Sequence, residues 1–335
     1  MALWSSDTNG VPDRVLLARR GLTRGTKVAR NEISERVVAR VFPVTRPVTR
    51  QQRRSFVPLI KNRYGKGRVR IMRVHRDGDK QDVSQLSIKV MLEGDFGRAY
   101  TDADNSTSTS TDTMKNIVNA TARENTALQT EPFCQVLAQR YLDLYPQVVS
   151  VAITAHETKW TRLVIDGVPH PHSFVRDDNG KPFVELHATR DGMTMSSGLD
   201  NFVFMKSTQS GWENYYTDKY STIQPTNDRI AATSMVATWT WSGTPADYAA
   251  TNATILQTLL REFATTYSPS VQNSLYRMGE KALAAVPEIS EISMACPNLH
   301  FIPLNLSAFG LDNNNDVFLP TEEPHGQIEC TVGRG

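Results

Sequence analysis

The order of secondary-structure patterns along the chain is the feature that most limits its fold, because the same order occurs twice. Each half contains strand-like runs, then two helical patterns, then further strand-like runs. In the first half these patterns fall at residues 69–77, 87–94, 112–123, 132–145, 148–158, 161–166, 173–176 and 183–189. In the second half they fall at residues 199–207, 230–241, 245–267, 270–285, 289–294, 299–306 and 327–332. Two successive units of this kind predict a duplicated α+β module with antiparallel sheets.

Local signals also predict where the first two helices begin. Asp112 or Thr113 is the expected N-cap of the first helix, because short polar side chains can accept a hydrogen bond from a first-turn amide. Pro132 is expected to begin the second helix, since proline fits the first turn.

Length and composition set the broad class of the protein. The 335 residues are enough for two domains, and 39% hydrophobic content is enough for a core. No run approaches the roughly 18 consecutive apolar residues of a membrane span, so we expect no membrane partner. The three cysteines lie far apart and form no CxxC pair, which argues against a disulfide-rich fold or a zinc ribbon.

The charge is distributed unevenly along the chain. Residues 1–60 hold 12 Lys and Arg against 4 Asp and Glu, whereas the other 275 residues hold 25 against 31. We therefore predict a basic, flexible N-terminal extension at residues 1–56, with one short helix near residues 31–41. A solvated tail is the expected role, and an arm that contacts nucleic acid is the alternative. Residues 57–190 and 191–335 are the two predicted folded domains.

Two short motifs that resemble ligand sites carry little weight alone. The sequence Gly65-Lys66-Gly67 is not followed by a helix start, so it is not a phosphate-binding loop. His170 and His172 flank a proline and have no third ligand nearby, so we expect no metal site there.

Longer motifs are more specific, and they occur in one order over about residues 57–334. Those of the first half are Tyr64-Gly65-Lys66, Val69-Arg70, Asp104-Asn105-Ser106, Thr111-Asp112-Thr113-Met114-Lys115-Asn116, Asp166-Gly167 and Pro169-His170-Pro171-His172-Ser173-Phe174. Those of the second half are Lys206-Ser207-Thr208, Ser210, Trp212, Tyr215, Tyr220, Asp228-Arg229, Pro297-Asn298-Leu299-His300, Asn314-Asn315-Asp316-Val317-Phe318 and Cys330-Thr331-Val332-Gly333-Arg334. Together they resemble the urate oxidase (uricase) family.

The resemblance implies tandem tunnelling-fold (T-fold) domains, with antiparallel sheets and paired helices, assembled into a tunnel-shaped homotetramer. It also implies that O2 oxidises urate to 5-hydroxyisourate and hydrogen peroxide, with urate and O2 as partners and with no cofactor and no metal. The active sites of the family lie between subunits.

The resemblance further implies a set of substrate-binding residues. Arg229 and Gln272 match the pair that clamps the polar edges of the purine, and Val271 adjoins them. Guanidinium suits an anionic purine because it is planar, permanently charged and able to bond two acceptors. Trp212 occupies the position of the stacking phenylalanine of the family, and a slip that brings Tyr215 or Tyr216 into that role is the alternative.

Proton and oxygen handling is implied for a second set of residues. Lys66, Thr111 and His300 match the proton relay, and Thr111 with Asn298 matches the pair that holds O2 and later water. The backbone amide of Asp112 would bond the edge of urate. Ser108 lies in a polar run where family members are usually apolar, which would make that wall of the pocket more polar.

Two rival functions remain at this point. One is another tunnelling-fold purine or pterin enzyme, such as a zinc-dependent cyclohydrolase. The other is a purine-binding relative that has lost activity. The chain ends in Arg334-Gly335 rather than Ser-Lys-Leu, so we expect a cytoplasmic protein. We do not expect nucleic acid among its partners.

Overall fold

The computed structural model describes residues 57–335. The basic extension predicted at residues 1–56, and the short helix predicted within it, lie outside the described residues.

Nine strands of the described residues form one antiparallel sheet. The strands are β1 (Tyr64–Asp77), β2 (Lys80–Gly94), β3 (Val148–Ile165), β4 (Val168–Asp177), β5 (Lys181–Thr189), β6 (Gly192–Lys206), β7 (Ala231–Trp241), β8 (Ile289–Pro303) and β9 (Phe318–Gly333). Across the sheet the order is β1-β2-β3-β5-β6-β7-β8-β9, and β4 pairs with the second half of β3. The outermost strands of this order are therefore β1 and β9.

Two pairs of long helices interrupt the strands at corresponding points of the two halves. The helices are α1 (Gly97–Thr101), α2 (Thr111–Glu124), α3 (Thr130–Leu144), α4 (Tyr248–Thr265) and α5 (Val271–Ala285), and a 3-10 turn spans Ser307–Phe309. The predicted α+β architecture with antiparallel strands is confirmed. No helix within residues 57–335 has the length and apolar character that crossing a membrane would require.

Each helix pair covers one of two clusters of buried apolar side chains, and Tyr248 at the start of α4 belongs to the first cluster. Leu86, Ile88 and Val90 alternate along β2 and point to one face, where they pack with residues of α2 and α3. In the second half, Ile255 of α4 and Met278 of α5 belong to a separate cluster over β7 and β8. The proposed domain division at residues 190 and 191 falls in the turn between β5 and β6, and it stays a prediction.

Several predicted helix starts were wrong, because the first residue of a helix depends on the conformation of the segment that precedes it. Ser110, rather than Asp112 or Thr113, caps α2, and its Oγ accepts a hydrogen bond from the Thr113 amide at 3.0 Å. Helix α3 begins at Thr130, two residues before Pro132, which the first turn accommodates. Helix α4 begins after its N-cap Asp247.

Two pairs of strand-like runs are single long strands in the structure. The runs at residues 148–158 and 161–166 are both part of β3, which changes partners along its length, from β2 and β5 to β4. The runs at residues 289–294 and 299–306 are both part of β8 as far as Pro303. Each strand continues past the polar residues that interrupt its apolar pattern, because its backbone stays paired with a neighbouring strand.

Candidate active site

The long connection between β6 and β7 positions two of the predicted substrate-binding residues. The Trp212 amide donates to the Thr226 carbonyl at 2.7 Å, and the Thr226 amide returns a hydrogen bond at 3.1 Å. The Arg229 amide donates to the Ser210 carbonyl at 2.8 Å, and Ser210 also bridges Ser268, just before α5. These backbone contacts bring Trp212 and Arg229 together although 16 residues separate them.

Trp212 is half-buried, and one of its faces is covered. The ring of Tyr215 stacks on the indole with centroids 5.5 Å apart and planes at 10°. Tyr216, the other alternative from sequence, is 90% exposed. Stacked aromatic pairs add attraction beyond buried area, so Tyr215 restricts the orientation of the indole.

Arg229 is a partly buried cation without a protein partner in the described residues. Its Nε is buried and makes no hydrogen bond there. Burial lowers the pKa of the guanidinium, and a smaller opposite effect comes from Tyr267. The neighbouring Asp228 does not neutralise it, because the Asp228 carboxylate accepts hydrogen bonds from Thr208 Oγ1 at 2.7 Å and from the Gln209 amide at 3.3 Å. A desolvated guanidinium of this kind is suited to an anionic ligand.

The start of α5 is attached to the same connection. Ser270 caps the helix through the Asn273 amide at 3.1 Å, and Ser274 Oγ donates to Ser268 Oγ at 2.7 Å. Val271 and Gln272 are the first two helical residues, whose amides have no intrahelical acceptor. The helix start therefore places the Gln272 side chain and two backbone donors on the segment that also bridges Ser210.

Asn298 and His300 lie on β8, and Asn298 is close to this helix start. Asn298 pairs with Thr233 of β7, and a register shift follows between Asn298 and His300. Asn298, Val271 and Cys296 line one small cavity of about 20 Å³, the size of one water molecule. Burial raises the pKa of the Cys296 thiol to about 11, so this thiol stays protonated at neutral pH.

The other three predicted residues lie in the first half of the chain. Lys66 is half-buried on β1, next to an irregularity in the β1–β2 pairing. Thr111 and Asp112 are the first two residues of α2, and their amides have no intrahelical acceptor. The pKa of Asp112 is lowered, first by a hydrogen bond and the charge of Lys115, then by Asn116 and the charge of Lys66. Lys66 therefore lies within electrostatic reach of the start of α2.

Tyr64 links Lys66 to the start of α2, and sequence reasoning gave it no role. Its hydroxyl donates to the Thr109 carbonyl at 3.0 Å and accepts from the Thr109 amide at 2.8 Å. Its ring contacts Phe96 edge-on with centroids 4.8 Å apart, and burial raises the pKa of the phenol. Tyr64 precedes Lys66 by two residues and Thr109 precedes Thr111 by two, so this contact joins the two segments that carry the predicted relay residues.

The structure does not join the two groups of predicted residues within one chain. Lys66 is on β1 and Asn298 is on β8, which are six strand-to-strand steps apart in the sheet. At about 4.8 Å per step the separation along the sheet is roughly 29 Å. The predicted site residues of one chain therefore form two separate groups, which we call half-sites.

The absence of a metal from the whole chain stays a prediction. In residues 57–335 no three His, Cys, Asp or Glu side chains are grouped so that they could hold a metal ion. His170 and His172 do lie together on β4, with ring centroids 4.7 Å apart.

The single antiparallel sheet and the two helix pairs define an α+β protein of the tunnelling-fold class. The family model named uricase matches residues 62–187 and 195–329. Uricase from Aspergillus flavus is 37% identical over 289 residues, which cover 81% of this chain and 95% of that protein. Uricase from Dictyostelium discoideum is 34% identical, covering 82% and 97%. The crystal structure of uricase from Arthrobacter globiformis has a TM-score of 0.79 at 35% identity, covering 84% and 96%. The chain belongs to the uricase family.

Proposed function

We propose that this protein oxidises urate with O2 and water to 5-hydroxyisourate and hydrogen peroxide, without a metal or an organic cofactor. Two electrons pass from urate to O2, water supplies the new hydroxyl group, and two protons complete the peroxide. The chain's own task is then to bind the anionic purine, hold O2 and water beside it, and move protons.

The environment of Arg229 is the single observation that carries the proposal. A partly buried guanidinium with no anionic partner in the described residues is costly unless a ligand completes it. Urate is planar and anionic at neutral pH, and paired acceptors on its edge fit the fork of an arginine. Trp212 would stack on the purine with the face that Tyr215 leaves free, and Gln272 with the amide of Val271 would hold the other polar edge.

Proton and oxygen handling would come from the remaining predicted residues. Lys66 and Thr111 would pass protons at one side of the purine, and His300 would serve the relay from β8. Asn298 and Thr111 would hold O2 and then water above the ring. The amides at the start of α2 support a role in binding anions, because Thr111 and Asp112 have donors that the helix leaves free.

These roles require a second copy of the chain. With the half-sites roughly 29 Å apart along the sheet, Lys66, Thr111 and Asp112 of one subunit would meet Trp212, Arg229, Val271, Gln272, Asn298 and His300 of another. A homotetramer with shared sites satisfies this requirement.

The proposal is tested by assaying urate oxidation with protein that has been treated with a chelator. We expect loss of urate absorbance with one peroxide formed per urate consumed, at a rate that chelation leaves unchanged. Activity that is lost on chelation and restored by zinc would favour the metal-dependent cyclohydrolase alternative. Tight urate binding without turnover would favour an inactive relative. The cytoplasmic location stays a prediction, which imaging of the tagged full chain would test.

A further inference from the structure

A second cavity, of about 680 Å³, lies over the middle of the sheet between α3 and α4, and none of the predicted site residues lines it. Its apolar lining includes Leu128, Phe183, Leu199, Trp239 and Leu256. This volume is within the range of cavities that bind small organic molecules, and so is the mixture of apolar walls with a few polar groups.

The side of the cavity where the two helices begin is fixed by one side chain. Gln129, at the N-cap of α3, donates from Nε2 to Oδ1 of Asp247, the N-cap of α4, at 2.8 Å. Gln129 Oε1 accepts from the Ala249 amide at 3.2 Å. The starts of α3 and α4 are therefore held at a set separation on either side of the cavity.

Glu131 presents a buried carboxylate to this cavity. The residue is 4% exposed, and its Oε1 accepts from Ser197 Oγ and from Asn252 Nδ2, each at 2.7 Å. Two indole groups hold these donors in turn, since Trp241 Nε1 donates to Ser197 Oγ and Trp239 Nε1 donates to Asn252 Oδ1, each at 2.9 Å. Within the described residues, Glu131 Oε2 has no hydrogen-bond partner. The network orients the carboxylate and leaves one oxygen for a donor inside the cavity.

Lys159 and Asp82, two other charged residues of the cavity wall, have partners outside it. Lys159 Nζ bonds Asp177 at 2.7 Å, and Asp82 pairs with Arg162. His75, which also lies on the wall, has its Nδ1 3.4 Å from Thr126 Oγ1. The ammonium group of Lys159 is therefore paired with Asp177 rather than with Glu131.

A second carboxyl group adds to the acidic character of the interior. Glu157 lines the cavity and accepts from Thr130 Oγ1 at 2.7 Å, while burial, and to a lesser degree Glu131, raise its pKa. The buried Arg73 is the cation that acts on Glu157, and its NH groups bond Asn125 O and Ser84 Oγ at 3.0 Å each. Arg73 thus partly offsets the charge of Glu157.

We propose that this cavity binds a small organic cation, namely a primary ammonium group on an aromatic or aliphatic body. An ammonium group has three donors and no acceptor, which matches the free oxygen of Glu131. The body would pack on the apolar wall formed by Phe183, Leu199 and Trp239. Such binding is independent of urate oxidation, because the cavity shares no residue with either half-site.

The test uses the full chain and 2-phenylethylamine, which is protonated at neutral pH, with 2-phenylethanol as the neutral isostere. Calorimetry and tryptophan fluorescence would both report binding, since Trp239 lines the cavity. We expect the ammonium compound to bind about tenfold or more tightly than the alcohol, through a charge-assisted hydrogen bond to Glu131. Glu131→Gln should remove most of this preference.

A pair of matched variants tests the location without touching the buried network. Ala253 is exposed on α4 and lines the cavity, so Ala253→Trp should fill its opening and weaken binding of the probe about tenfold or more. Ala264→Trp changes an exposed residue of the same helix away from the cavity and should leave binding unchanged. Urate turnover should be the same in both variants.

Any of three results would overturn the proposal. The first is that 2-phenylethylamine shows no saturable binding at millimolar concentration. The second is that it binds equally well to the parent and to Ala253→Trp, and the third is that it binds no more tightly than 2-phenylethanol. If Glu131→Gln fails to fold, the comparison of probes and the two alanine variants still decides the question.

Discussion

Replacing Arg229 with alanine should weaken purine binding strongly while leaving the protein folded. Two charge-assisted hydrogen bonds to the anion are worth about 1.5–3 kcal/mol each. At 1.4 kcal/mol per factor of ten, their loss lowers affinity by about two to four orders of magnitude. The effect should be seen in the inhibition constant of xanthine, a purine without the C8 oxygen of urate, and in kcat/KM for urate.

The same substitution should have little effect on stability, and this separates a ligand-binding arginine from a structural one. Arg229 Nε has no hydrogen-bond partner in the described residues, and burial lowers the pKa of the group, so the folded protein gains little from its charge. We expect the Tm of Arg229→Ala to stay within about 3 °C of the parent. Arg176→Ala, at an exposed arginine of the first half, is the matched control and should change neither quantity. Near-native xanthine affinity together with a large drop in Tm would refute the reasoning.

Four further predictions concern other parts of the chain. Lys66→Met should lower kcat and change the acidic limb of the pH–rate profile with little effect on xanthine binding, and an unchanged profile would exclude Lys66 from proton transfer. Tyr64→Phe removes both hydrogen bonds to Thr109, so kcat should fall about tenfold and stability by about 1–2 kcal/mol, measured by turnover and urea unfolding. The folded pKa of Glu157 lies above its ordinary value of 4.5, so the parent should lose stability as pH rises from 4.5 through the folded pKa. The Tm of Glu157→Gln relative to the parent should therefore increase over that range, and a constant difference would contradict it. Deleting residues 1–55 should leave the proposed tetramer, its stability and its turnover intact in size-exclusion and urate assays, whereas dissociation into dimers would show that the extension is structural.

The sequence alone determined the architecture because the relevant signals are local. Apolar residues alternate along the strands, as at Leu86, Ile88 and Val90, and recur at helical spacing in α4. The order of these patterns gave the duplicated α+β arrangement, and the motifs from Tyr64 to Arg334 indicated the uricase family. Charge and apolar spacing act over a few residues, so they can be interpreted without coordinates.

Only the tertiary structure decided which side chains meet. The sequence could not show that Tyr64 holds Thr109, or that Glu131 of α3 bonds Ser197 of β6 and Asn252 of α4, because these partners lie 45 to 121 residues apart. The sequence also could not show the cavity between α3 and α4, since its existence depends on the distance between these helices and the sheet. The separation of Lys66 from Asn298 likewise follows from the order of strands in the sheet. Local pattern fixes which face of an element is buried, and long-range packing fixes what that face contacts.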